Sequence, residues 1–207
     1  MTAIKMAAVS GVAMRHFKKD AKRVGLIGTG LQGLYQLIAA QSSTSVKTIY
    51  LCNRSAQKIE SFIQRFQTIA SNGIEIIPVT DKMDLIRNSE IIITATTSVS
   101  PVLPDDEELY QNKLILGVGS YKSNMRELPQ TLFEQAEYYY FDSEQGKVEC
   151  GDIIDPLEKG WVNEDQIVLL SDSLSGKIKV PQNENPILFK TVSMALFDEY
   201  IGNFIYK

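Results

Sequence analysis

The sequence predicts a doubly wound parallel α/β sheet with flanking helices at both ends of the chain, and three observations predict it. An apolar run over residues 24–27 ends in Gly28-Thr29-Gly30-Leu31-Gln32-Gly33, then gives way to Leu34, Leu37 and Ile38 at helical spacing. Later runs over residues 48–52, 90–95 and 113–118 are nearly continuous in apolar side chains rather than alternating, as strands covered on both faces are. Amphipathic stretches separate these runs, and strands alternating with helices build a parallel sheet.

In order along the chain, residues 2–18 place Ile4, Ala7, Ala8, Gly11, Val12 and Met14 roughly on one helical stripe. The basic cluster Lys18, Lys19, Lys22 and Arg23 suits the negative end of that helix's dipole. The first strand is expected over 23–27, its helix over 31–41, a serine-rich turn over 42–45 and a second strand over 48–52. Ser55 is expected to cap a helix running to residue 69, and Asn72-Gly73 to turn the chain into a strand over 74–79. Asp81 opens a short helix with Met83, Leu85 and Ile86, before the strand over 90–95. Beyond Pro101, Pro104 and the acidic residues 105–108 come a strand over 113–118, a helix over 132–135 and a strand over 137–141, whose tyrosines suit a pleated surface. From Ser143 onward, residues 144–154, 165–174 and 186–206 are expected as helices laid on the sheet. The last carries Leu188, Val192, Ala195, Leu196, Tyr200 and Ile201 on one face, beside the opening helix. The chain is expected to form a single domain over 1–207, with 1–20 and 186–207 packing beside its core.

Composition removes several function classes. The 207 residues hold 21 Lys+Arg against 25 Asp+Glu, a formal net charge of −4, so neither nucleic acid nor an anionic membrane is the expected partner. No apolar run reaches the ~20 residues of a membrane helix, and the charged N-terminus lacks the apolar core of a secretory signal. Cys52 and Cys150 stand apart and His16 is the single histidine, so neither a zinc site nor a disulfide framework is expected. A cytoplasmic location follows as the expectation.

The glycine pattern points to a dinucleotide. Gly28 permits a tight turn off the strand, Gly30 lets the backbone approach a pyrophosphate, and Gly33 lets the helix pack close to the sheet. Amide groups of Thr29, Leu31 and Gln32 near the helix start would then face the phosphates, with the positive end of the dipole behind them. In such a Rossmann sheet, ligands sit outside the carboxyl ends of the strands, where strand order reverses. Three further segments arrive there: Cys52–Ser55, which carries Asn53-Arg54-Ser55, then Ala95–Ser98 with Thr96 and Thr97, and Val118–Ser120 with Val118 and Gly119. An NAD enzyme usually presents Asp or Glu at the end of the second strand. Here Arg54 can pair with a 2′-phosphate while Asn53 and Ser55 add neutral hydrogen bonds. NADP(H) is therefore expected over NAD(H); the alternative is a solvated Arg54 and a protein that accepts both.

Taken together, several stretches resemble the ornithine cyclodeaminase/mu-crystallin family. They are residues 2–13, Gly28–Gln32, Thr94–Thr97 with Pro101-Val102-Leu103, and Gly117–Ser120 followed by Met125-Arg126-Glu127-Leu128. Asp142-Ser143, Glu149–Asp152, and residues 188–192 with Met194-Ala195 complete the set, in family order across the whole chain. The resemblance implies a nicotinamide-dependent enzyme acting on amino acids or cyclic imines. It implies that Asp152 is the acid/base carboxylate, with Lys190 near the nicotinamide as a positive charge or a packing stem. Read from the sequence alone, Asp152 fits a helix cap equally well.

Three departures stand against the family pattern. Family members carry a strand-rich N-terminal domain that supplies substrate contacts and much of a dimer interface, whereas this chain starts at the helix after it. Lys5 and Met6 occupy the place of an Arg-Thr pair, so Lys5 meets the substrate side without the two parallel hydrogen bonds of arginine. Ser193 stands where the family has glycine. The expectation is a complete cofactor pocket, an open substrate pocket, and an uncovered apolar stripe on residues 2–14 that favours self-association, a homodimer included. Three functions follow: an imine or amino-acid oxidoreductase, a cofactor-binding protein without turnover, and a cyclodeaminase-type lyase.

Overall fold

The computed structural model describes residues 2–70, 73–144 and 150–192. Eight parallel strands form one sheet in the order β3-β2-β1-β4-β5-β8-β6-β7. They are β1 Arg23–Ile27, β2 Thr48–Cys52, β3 Glu75–Pro78, β4 Ile91–Thr94, β5 Leu114–Gly117, β6 Tyr139–Phe141, β7 Ile167–Leu169 and β8 Ile187–Lys190. Strand order reverses between β1 and β4, whose registers pair Ile27 with Thr94. β4 and β5 are buried at every position, and only Arg23 of β1 is exposed. Their apolar runs are thus explained by helices on both faces.

The helices are α1 Thr2–Lys18, α2 Leu31–Ser43, α3 Gln57–Ile69, α4 Lys82–Asn88, α5 Gln130–Gln135, α6 Gly151–Glu158 and α7 Leu170–Leu174. One core cluster joins Met6, Ala13 and Met14 of α1 to Leu34 and Leu37 of α2 and to one face of the sheet. The other joins Leu85 and Ile86 of α4, Leu132 and Phe133 of α5, and Ile153 of α6 to the opposite face. At ~25 cal/mol per Å² of apolar surface, these two layers supply the dominant favourable contribution to the fold.

The structure corrects several expectations. Residues 165–174 are not one helix: a 3-10 turn at Glu164–Gln166 leads into β7, and only Leu170–Leu174 is helical. Residues 187–190 are β8, inserted between β5 and β6, rather than the start of a long C-terminal helix. Short apolar runs fit either period, and here burial on both faces decides for strand. The remainder of that expected helix, from Ser193, lies outside the described residues. So does part of the helix expected over 144–154; its described portion is α6, which begins at Gly151 and continues to Glu158. The Asn72-Gly73 turn lies partly outside them too.

On α1 the buried stripe is Ala3, Met6, Ala7, Ser10, Ala13 and Met14, with Gly11 against α2. Ile4, Ala8 and Val12 lie on the exposed side instead. Close approach to α2 selects the small residues: a methyl group on Gly11 would stand 2.7 Å from Ser43 Oγ. Finally, Ser55 does not cap α3. The capping position is Ala56, and no side chain caps it.

Candidate functional site

The site begins where β1 ends. Gly28 adopts φ +107°, a left-handed conformation that only glycine enters without strain. A side chain there would run into the Ala95 carbonyl, and one on Gly33 would run into the carbonyl of Gly28. These two glycines hold the turn, the strand and α2 in close contact. Gly30 is different: nothing lies within 4 Å of a Cβ built on it. It caps α2 with no side-chain hydrogen bond. The first amides of α2 are therefore left for a ligand, with the dipole's positive end behind them.

This turn opens into a cleft of about 640 Å³ at the carboxyl ends of β1, β2 and β4. Of the residues singled out in the sequence, Gly28, Thr29, Gly30, Asn53, Arg54, Ser55, Thr96 and Thr97 line it. Asn53 Oδ1 accepts from the Thr29 amide at 3.4 Å, and its Nδ2 donates to the Ser55 carbonyl at 2.9 Å. That pair fixes the loop carrying Arg54 against the glycine turn. Leu31, exposed at the helix start, and Gln32, whose Nε2 donates to Met6 Sδ, flank the cleft without lining it. Another cavity, of about 330 Å³, lies by the amino ends of β5 and β8, beside Phe17 and Asn112, and touches none of these residues.

Two charged lining residues escaped the sequence reading. Lys58 and Lys82 join Arg54, and among the described residues that line the cleft there is no carboxylate. Burial raises the pKa of the Cys52 thiol, with Lys82 opposing the rise and Asp81 adding to it. With Arg54, Lys58 and Lys82 on its wall, the lining of the β2 end of the cleft is cationic. Asp81 is nearby, but its carboxylate accepts from the Met83 amide at 2.9 Å and caps α4.

Behind the β4–β5 side lies a buried charge cluster. Asp152, at the first turn of α6, and Lys190, at the end of β8, are both fully buried, with Lys190 Nζ 3.5 Å from Asp152 Oδ2. Asp152 Oδ1 accepts from the amides of Glu127 and Leu128 at 2.8 and 3.2 Å. Glu127 is a third member that the sequence reading left without a role. It is fully buried, and desolvation pushes its pKa up; Lys190 opposes that rise and Asp152 adds to it. Its Oε2 accepts from the Gly119 amide at 2.7 Å. Val118 extends β5, its amide donating to the Thr94 carbonyl. Lys5 is buried on α1. Neither Asp152, Lys190, Val118, Gly119 nor Lys5 lines the cleft.

A wholly parallel sheet, reversed at β1/β4 and carrying a glycine turn, an uncapped helix and a cationic cleft, defines a Rossmann-type α/β protein. The model of the ornithine cyclodeaminase/mu-crystallin family matches residues 1–207, and the chain belongs to that family. It is 29% identical to a Δ1-pyrroline-2-carboxylate reductase of Bacillus thuringiensis subsp. konkukian, covering 100% of this chain and 64% of the relative. It is 25% identical to the ketimine reductase mu-crystallin of Rattus norvegicus, covering 100% and 62% respectively. Among solved structures, Thermococcus litoralis Δ1-pyrroline-2-carboxylate reductase in complex with NADH and L-proline superposes with a TM-score of 0.90 at 29% identity. That match covers 99% of this chain and 64% of the other. The chain thus spans somewhat under two thirds of the length of these relatives.

Proposed function

We propose that this chain is the dinucleotide-binding part of a nicotinamide-dependent oxidoreductase that reduces the C=N bond of a cyclic imine, or runs the reverse reaction on an amino acid. The observation that carries this reading is the uncapped start of α2 at Gly30, open to a cleft whose charged lining residues are all cations. The residues present fit the cofactor. Amides of the Gly28–Gln32 turn would hold the pyrophosphate, and Thr96 and Thr97 would border the nicotinamide side. Arg54, helped by Lys58 and Lys82, would meet a 2′-phosphate, which favours NADP(H) while leaving NAD(H) usable. The relatives that bear reductase names support the reaction class.

The bound nicotinamide supplies or accepts the hydride. Reduction of an imine also requires a proton at nitrogen. Asp152 Oδ1 is committed to two amides, so Oδ2, beside Lys190 Nζ, is the carboxylate oxygen left to hold one. Lys190 would keep that charge balanced, and Lys5 would face the substrate from α1. Incubation with NADPH and a panel of cyclic imines tests the reading: loss of the reduced-nicotinamide absorbance is expected. Ammonia release from ornithine with catalytic cofactor would point instead to lyase chemistry.

A second reading, cofactor binding without turnover, draws on one observation. Asp152 and Lys190 are sealed from solvent and outside the cleft. NADPH binding with no oxidation by any imine would favour it.

A further inference from the structure

Glu127 receives four hydrogen bonds on one buried carboxylate. Oε1 accepts from the Thr96 amide at 2.6 Å and from Thr96 Oγ1 at 2.7 Å; Oε2 accepts from the Gly119 amide at 2.7 Å and from Thr94 Oγ1 at 3.0 Å. The donors come from the end of β4, the loop after it and the loop after β5. Those loops lie so close that a side chain on Gly119 would run into the backbone of Thr96. The backbone of Glu127 is itself held, its amide by Asp152 and its carbonyl by the Val102 amide at 2.8 Å. Burying an ionised carboxylate is costly unless its oxygens are satisfied. Here the satisfaction is spent on the wall of the cleft, since Ala95, Thr96 and Thr97 line it and Ala95 also backs the Gly28 turn.

We infer that Glu127 is a positioning residue: its carboxylate fixes the Thr96 and Gly119 loops and so sets the nicotinamide side of the cleft, while the cationic β2 end is independent of it. The inference rests on the dinucleotide reading above. The two ends of the cleft can be probed separately, because adenosine 2′,5′-bisphosphate reaches only the adenine side. Glu127→Gln keeps the shape but turns one acceptor oxygen into a donor, so a Thr94, Thr96 or Gly119 donor loses its partner. Titration by calorimetry should find NADPH bound roughly tenfold more weakly, with the bisphosphate unchanged. Thr94→Val, isosteric and outside the cleft, removes a single donor to the same carboxylate and should shift NADPH alone, by about two- to fivefold. Unchanged NADPH affinity in both variants, or equal weakening of both ligands, overturns the positioning role. If Glu127→Gln does not fold, Thr94→Val decides on the same criteria. Wild-type protein that binds neither ligand instead sinks the dinucleotide reading itself.

Discussion

Asp152 Oδ1 lies 2.8 Å from the amide nitrogen of Glu127, so one buried carboxylate holds the backbone of another. Lys190 faces Asp152 at 3.5 Å and also lowers the pKa of Glu127. Two buried carboxyl groups thus share one buried cation.

This sharing ranks two substitutions. Removing one partner of a buried ion pair leaves an uncompensated charge and costs about 3–5 kcal/mol. Asp152→Asn leaves Lys190 with Glu127, one charge for one, and its amide oxygen can still accept from the backbone. Lys190→Met leaves two carboxylates with no cation. Urea denaturation should find Lys190→Met the more destabilised, with Asp152→Asn at or below the lower end of that range. The reverse order would mean that Asp152 and Glu127 do not both depend on Lys190. Asp152→Asn should also abolish imine reduction while NADPH still binds; loss of binding would make the residue structural.

The glycine turn gives a contrast between two positions of one motif. Gly30→Ala meets nothing within 4 Å and should cost no more than about 1 kcal/mol of stability, the scale of a changed helix cap. It should nevertheless weaken the dinucleotide by tenfold or more, equivalent to about 1.4 kcal/mol, because the methyl group would occupy the space proposed for the pyrophosphate. Gly33→Ala drives a side chain into the Gly28 carbonyl, and its thermal midpoint should fall sharply. If Gly30→Ala binds NADPH like the wild type, the phosphates do not lie over this turn.

The elements that support the turn were legible because each carries a local signal. The 24–27 run with its glycines, the Asp81 cap and the apolar runs of β2, β4 and β5 all speak within a few residues. β7 and β8 did not, because Ile167–Leu169 and Ile187–Lys190 are too short for periodicity to separate strand from helix; pairing with β6 settles both. The buried face of α1 was shifted because small residues, not the bulky Ile4 and Val12, meet α2. At the site, Asn53, Arg54 and Ser55 followed from their place after β2. Lys58 and Lys82 look like any exposed helical lysine in sequence, and only the fold brings them to the same cleft. Glu127 carries no local signal at all, since its four donors come from elements up to 33 residues away.

Cofactor choice should respond to the charge at the β2 end. Arg54 is exposed, so its contribution sits near the lower end of the roughly 1.5–3 kcal/mol of a charge-assisted hydrogen bond, and salt screens it. Arg54→Gln should weaken NADPH by about tenfold and leave NADH nearly unchanged, with the difference shrinking as ionic strength rises. Lys58→Gln and Lys82→Gln should each act in the same direction. Wild-type protein that binds NADH and NADPH equally would remove the 2′-phosphate assignment.

One histidine gives the fold a pH dependence of known sign. His16 on α1 hydrogen-bonds through Nε2 to Ser173 Oγ at 2.9 Å and meets the edge of Phe17. Burial lowers its pKa below the ordinary 6.5, so the folded state favours the neutral ring. Between that lowered value and 6.5 the unfolded chain binds more protons than the folded one, and stability therefore rises with pH across this window. Above 6.5 the contribution is fully present; it is lost as pH falls through the folded-state pKa. His16→Gln removes the titrating ring, so thermal midpoints of the variant should vary less with pH in this window than those of the wild type. An identical slope in both would place the acid sensitivity in other groups and leave the His16–Ser173 contact without a role in it.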